Sequence, residues 1–362
     1  MGPMNRRHWL RAILATSAGA LRAADVHQHI RELADEAPLD MQFQGSTADE
    51  FRAWQKRFGD KLAELLGPHR PPPQWDVKVE ESVEFEDHQR KSLLLRAPGH
   101  ADLPVYLLTP KGPVQEKRPG IVALHGHGPF GHDAVVGVDS SPQRAQDIKE
   151  HNYDFGRQLV RRGYVVVAPC FTPFGRRLDT PEAYGGNDAC AVSFVRMQLL
   201  GKNLMTENLR DTLWAFEFLA RQSGVDSARI GCVGLSYGGR MTMLASAVET
   251  RIRVAVISGG LNVLQERIGG RYSCGAQVIP GLLEHGDVPE IAGLIAPRPA
   301  LWEVGQRDGL MVKEWIPRAW ERIQRAYHAA GADQQLHMDS FDGKHRWNGV
   351  VAEPVLAQVL KP

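Results

Sequence analysis

The sequence predicts an α/β fold: a mostly parallel central sheet with helices on both faces, preceded by a helical extension. Three observations predict it. From Pro119 onward, short apolar runs alternate with segments of helical periodicity, the pattern of strand–helix–strand units. One run, Ile230 to Val233, leads into Gly234-Leu235-Ser236-Tyr237-Gly238 and then a helix-compatible stretch, Met241 to Ala247. Residues able to carry chemistry fall just past the ends of these runs, where ligands gather in such a sheet.

The elements can be taken in order. Asn5-Arg6-Arg7-His8-Trp9-Leu10 places twin arginines before a small, weakly apolar stretch that ends in Ala18-Gly19-Ala20. Residues 1–24 therefore resemble a twin-arginine export signal, which implies a periplasmic or secreted protein. The competing reading is an N-terminal helix of a cytoplasmic protein. Residues 25–75 form a helical extension. Thr47-Ala48-Asp49-Glu50 is a capping box ahead of Phe51, Trp54, Phe58, Leu62, Leu65 and Leu66 at helical spacing. Gly67-Pro68 stops that helix, and Pro71-Pro72-Pro73 is a stiff spacer.

Residues 76–362 form the main domain. Val77, Val79, Val83 and Phe85 alternate with charged neighbours, and Leu93 to Leu95 and Pro104 to Leu108 follow; these predict antiparallel strands at one end of the sheet. Gly120 to Leu124 predicts the first buried strand. A helix over Phe155 to Arg162, the strand Tyr164 to Ala168 and a helix over Asn208 to Gln222 come next. Strands at Ile230 to Val233, Val254 to Ile257 and Ala300 to Val304, a helix over Glu314 to Ala330 and the strand Leu336 to Phe341 complete the pattern.

Composition excludes several classes. Lys and Arg total 43 and Asp and Glu 42, a net charge of +1 that gives no electrostatic footing for nucleic acid. No apolar run reaches the ~20 residues of a membrane helix. The four cysteines, Cys170, Cys190, Cys232 and Cys274, form no C-x-x-C pair. Cys232 reads as a core residue. Cys190 and Cys274 fall in expected loops and are open to pairing if the protein is exported.

The G-x-S-x-G run predicts a sharp strand-to-helix turn that presents the Ser236 hydroxyl. Past the strand Ala300 to Val304 comes Asp308, and past Leu336 to Phe341 comes His345. A serine hydroxyl is a poor nucleophile until a base takes its proton. Imidazole titrates near neutral pH and suits that task, so His345 is the candidate base. Asp308 would hold the imidazole's tautomer. Two N–H donors must meet the oxyanion; losing one costs about 3 kcal/mol. The backbone N–H groups of Tyr237 and of His127, in the glycine-flanked turn after Leu124, are the candidates. Glu303 is a rival carboxylate but lies inside its strand. His337 reads as structural, and His328, His27 and His29 as surface residues. His125, His127, His132 and Asp133 lack a Cys or Glu to complete a metal set, so no metal is predicted. Arg176 and Arg177 read equally well as pocket-lining or as a solvated pair.

Together Leu124-His125-Gly126-His127-Gly128, Arg162 to Pro169, Gly234 to Gly239, Ala296-Pro297-Arg298-Pro299-Ala300-Leu301 with Asp308, and the loop to His345 resemble the α/β-hydrolase superfamily. The nearer likeness, over about residues 76–362, is to the dienelactone-hydrolase and acetylxylan-esterase-like branch. It implies a cofactor-free serine esterase with the triad Ser236, Asp308 and His345, acting on a small-molecule or carbohydrate ester, with short acyl groups the expected leaving acid. Dienelactone hydrolases themselves typically use cysteine where this chain has Ser236. Long segments from Phe130 to Asn152, Phe171 to Lys202 and Asn262 to Pro289 would shape the pocket. Two other readings share these residues: a prolyl-oligopeptidase-like peptidase, and a non-catalytic binding protein on a hydrolase fold. Oligomeric state is not legible.

Overall fold

A computed structural model describes residues 25–112, 116–270 and 274–362. The twin-arginine segment and Tyr272 lie outside the described residues. The described residues form a nine-stranded sheet: β1 (Asp76–Glu84), β2 (His88–Arg96), β3 (Leu103–Pro110), β4 (Arg118–Leu124), β5 (Val165–Pro169), β6 (Val225–Leu235), β7 (Ile252–Ser258), β8 (Ala300–Gly305) and β9 (Leu336–Phe341). Their spatial order is β1-β2-β3-β5-β4-β6-β7-β8-β9. β1, β2, β3 and β5 pair antiparallel, and β5, β4, β6, β7, β8 and β9 pair parallel.

The parallel strands are continuous apolar runs because both of their faces are covered. Alternation along each strand divides its side chains between two cores. Val122, Leu124, Val165 and Val167 join one core, with Trp214 and Trp302. Ile121, Ala123, Val166 and Ala168 join the other, with Phe155 and Trp347. The helix Leu204–Ala220 covers the first face and the helix Ala352–Leu360 the second.

The helix Ala48–Leu66 packs on the first core through Phe51, Trp54, Phe58, Leu62 and Leu66, all buried. Thr47 and Glu50 cap it reciprocally. Trp54 donates its indole N–H to the Met41 carbonyl at 2.7 Å, so its polar atom is satisfied inside the core.

β1 is the expected antiparallel strand at one end of the sheet, with Val77 45% and Val79 57% exposed. One local reading differs from the sequence expectation. Cys190 lies in a helix, Ala189–Leu199, whose first turn is capped by the Asp188 carboxylate accepting from Ala191 N at 2.8 Å.

Candidate active site

β6 ends at Leu235, and the helix Tyr237–Val248 begins two residues later. Ser236 between them has φ 62° and ψ −118°. A left-handed φ on a non-glycine residue costs on the order of 1–3 kcal/mol and persists only where the surroundings enforce it. Here they do. Ser236 N donates to Ser258 O of β7 at 2.8 Å, and Arg240 N to Ser236 O at 3.1 Å. The turn is closed by glycines that have no room for a side chain. A Cβ on Gly234 would lie 2.3 Å from Gly238 O, and one on Gly238 2.0 Å from Leu124 O.

Asp308 follows β8 and is 1% exposed. Its Oδ2 lies 2.6 Å from His345 Nδ1, and its Oδ1 accepts from Leu310 N at 2.8 Å. An ionised carboxylate only accepts, so Nδ1 carries the proton and Nε2 presents a lone pair. Among the described residues, His345 Nε2 is buried without a hydrogen-bond partner. Ser236 and His345 line one cavity of about 340 Å³ without a bond between them, the looseness common before substrate binds. The bare Cα of Gly259 makes room for the imidazole; a Cβ there would lie 2.7 Å from His345 Cε1.

Glu303 serves the loop that carries His345. It is fully buried on β8, and its carboxylate accepts from Asn348 N at 3.1 Å and Gly349 N at 2.6 Å. The sequence set it aside as a rival to Asp308; its role as an anchor was missed. Burial raises its pKa from 4.5 to about 7. The folded protein therefore binds more protons than the unfolded chain between those two values. Stability falls as pH rises across that window and levels off above it, by a span of at most about 3 kcal/mol. Glu303→Gln, neutral throughout, should lose that dependence. Urea unfolding at about pH 5 and about pH 7.5 checks this, and an unchanged difference between the two pH values would refute the assignment.

The loop after β4 is held from both sides. His125 is buried; its Nε2 accepts from Phe171 N at 2.8 Å, so its Nδ1–H donates to Gly126 O at 2.7 Å. Burial lowers its pKa to about 4, which keeps it neutral in this staple. Gly126 N donates to Tyr153 Oη at 2.8 Å. His127 and Tyr237 both line the cavity. Tyr237 holds the first helical position, where the backbone N–H has no intrahelical partner. The Tyr237 hydroxyl is fixed by Asn208, whose amide also bridges Thr172 N and O.

The rest of the wall comes largely from the inserted segments. Asp188 arrives from the segment after β5; Asn262, Cys274 and Gln277 arrive from the segment after β7. Arg240 also faces the cavity. It is 3% exposed, and burial together with Arg267 lowers its pKa to about 10. Arg176 and Arg177 do not line the cavity. Arg176 pairs with Glu80, and Arg177 with the buried Asp211. Asp133 accepts from Tyr106 Oη at 3.0 Å and pairs with Arg144 at 2.7 Å, while His132 packs on the Tyr106 ring. Among the described residues, neither is grouped with His125 as a metal donor. His328 is exposed beside Asp333, and His27 and His29 are exposed on the helix Val26–Asp35. His337 lies half-buried in β9, where burial lowers its pKa.

A parallel sheet with a strand–serine–helix turn, a carboxylate past β8 and an imidazole past β9 is the architecture of the α/β-hydrolases. Residues 103–338 match the dienelactone hydrolase family, and the chain belongs to that family. A Bacillus subtilis (strain 168) protein named as a hydrolase, YtaP, is 30% identical over 281 residues, covering 75% of this chain and 87% of that protein. Among solved structures, a Bacteroides fragilis NCTC 9343 protein provisionally named an acetyl xylan esterase superposes with a TM-score of 0.74. It is 19% identical, over 88% of this chain and 83% of that one. A glucuronoyl esterase from Solibacter usitatus superposes at 0.60 with 14% identity, over 86% of this chain and 93% of that one. At these identities the structural likeness is one of fold. The expected branch of the superfamily is the one found.

Proposed function

We propose that this chain is a serine carboxylic-ester hydrolase that works through an acyl-enzyme on short, acetyl-like esters of carbohydrate alcohols. One observation carries the reading: Ser236 and the Asp308-bound His345 face the same cavity. Ser236 Oγ attacks the ester carbonyl carbon while His345 Nε2 takes its proton. The oxyanion meets the N–H groups of Tyr237 and His127. The tetrahedral intermediate collapses, and His345 returns the proton to the departing alcohol. Water then gives a proton to Nε2, attacks the acyl carbon and releases the acid, and Ser236 regains its hydrogen.

The cavity supports a small substrate. About 340 Å³ is at the low end of the roughly 300–1,000 Å³ of ligand clefts. Asp188, Arg240, Asn262 and Gln277 supply a polar wall suited to sugar hydroxyls. The names of the structural relatives point the same way, and an export signal in residues 1–24 would fit a polysaccharide target. A fluorophosphonate tests the reading. One equivalent should attach to the protein, and peptide mapping should find it on Ser236. p-Nitrophenyl acetate should then be cleaved with higher kcat/KM than the octanoate. Labelling at another residue, or a preference for the longer acyl chain, would overturn the proposal.

A further inference from the structure

A second set of donor atoms lies beside the loop that follows β4. His127 belongs to that loop. Cys190 is the second residue of the helix Ala189–Leu199, and Cys274 precedes the single turn Gly275–Gln277. These residues come from three separate segments of the chain, yet a ring nitrogen of His127 and the two Sγ atoms all lie within 4.8 Å of one another. Both cysteines are free and buried. The approach of the two segments is tight, since a Cβ on Gly275 would lie 2.5 Å from Phe194 Cβ.

The donor set has a recognisable chemistry. Two thiols and an imidazole are three of the four ligands of a tetrahedral zinc site. With Zn–S near 2.3 Å and Zn–N near 2.0 Å, tetrahedral geometry puts the donors about 3.5–3.8 Å apart. Closing from the present spread needs about 1 Å of side-chain movement. We propose that His127, Cys190 and Cys274 bind a thiophilic cation of the zinc class, with the fourth position left to water. A Cys190–Cys274 disulfide is the rival use of the same thiols. The imidazole favours the cation. A disulfide would use the two thiols alone, whereas a cation would also engage the His127 ring nitrogen that lies within 4.8 Å of both.

Sequence reasoning found no cysteine near His127 because Cys190 and Cys274 reach it only through the inserted segments. The site adjoins the main cavity, which His127 and Cys274 both line. An ion there would fasten both inserted segments to the loop whose His127 N–H is a proposed oxyanion donor.

The test uses the full chain, reduced with a phosphine and stripped with a chelator, and titrated with cobalt(II). Tetrahedral d–d bands and a thiolate-to-cobalt charge-transfer band should saturate at one equivalent, and zinc(II) should bleach both. Cys190→Ser and Cys274→Ser should each weaken the charge-transfer band, with folding followed by near-ultraviolet circular dichroism. Zinc-edge X-ray absorption on the unmutated protein needs no variant and should show two sulfur neighbours and one imidazole. Three results would overturn the proposal: a reduced, folded protein that takes up no cobalt, an all-oxygen zinc shell, or a charge-transfer band unchanged in both variants. Loss of two hydrogens in air, in a protein that takes up no metal when reduced, would assign the pair to a disulfide instead.

Discussion

Ser236→Ala should hydrolyse p-nitrophenyl acetate about 10⁴- to 10⁶-fold more slowly in kcat than the natural protein. The substitution removes one oxygen and leaves the backbone bonds to Ser258 and Arg240 in place. Alanine bears the same positive φ at the same order of cost, so the melting temperature should hardly move. What remains is the stabilisation offered by the N–H donors and by binding, which alone is worth about 10³–10⁴ over water. Equal rates for the two proteins, measured above the spontaneous background, would dismiss Ser236 as the nucleophile.

Gly238→Ala should lower the melting temperature by about 4 °C or more, the equivalent of more than about 3 kcal/mol at about 1.3 °C per kcal/mol for a chain of this length. The new Cβ would sit 2.0 Å from Leu124 O, 2.6 Å from Leu124 C and 2.8 Å from His125 O. All three are backbone atoms, and a Cβ has no rotamer by which to escape them. Relief requires β4 and the elbow helix to separate, which moves the loop carrying His127. The fraction that folds should therefore also lose activity. Gly59→Ala is the matched control: nothing lies within 4 Å of its Cβ, and it sits inside a helix, where alanine is favoured by about 0.5–1 kcal/mol. If scanning calorimetry found the two variants equally stable, the proposed crowding at the elbow would be wrong.

The parallel strands were legible because burial on both faces demands apolar runs, and the capped helix Ala48–Leu66 because its signals are local. β1 shows the limit of that reasoning. Its alternation of Val77 and Val79 predicts a strand at the end of the sheet, which is found, but not that these side chains stay exposed, since coverage is a tertiary property. In the site, Ser236, Asp308 and His345 could be picked out because each follows a strand that could itself be recognised. Glu303 could not be understood from sequence, since its partners are backbone amides of Asn348 and Gly349, far along the chain. Arg176 and Arg177 illustrate the same point for charge. Their sign was readable, but Glu80 and Asp211 as their partners were not.

The segments that wall much of the cavity leave the sheet after β4, β5 and β7 and add no strand to it. The hydroxyl, the imidazole and the carboxylate are anchored elsewhere, at the tips of β6, β8 and β9. On the proposed reading, much of the wall that meets the alcohol lies on stretches of polypeptide separate from the reacting groups. Grafting a relative's excursion onto this scaffold is a route to a new alcohol preference that keeps Ser236, Asp308 and His345 in place.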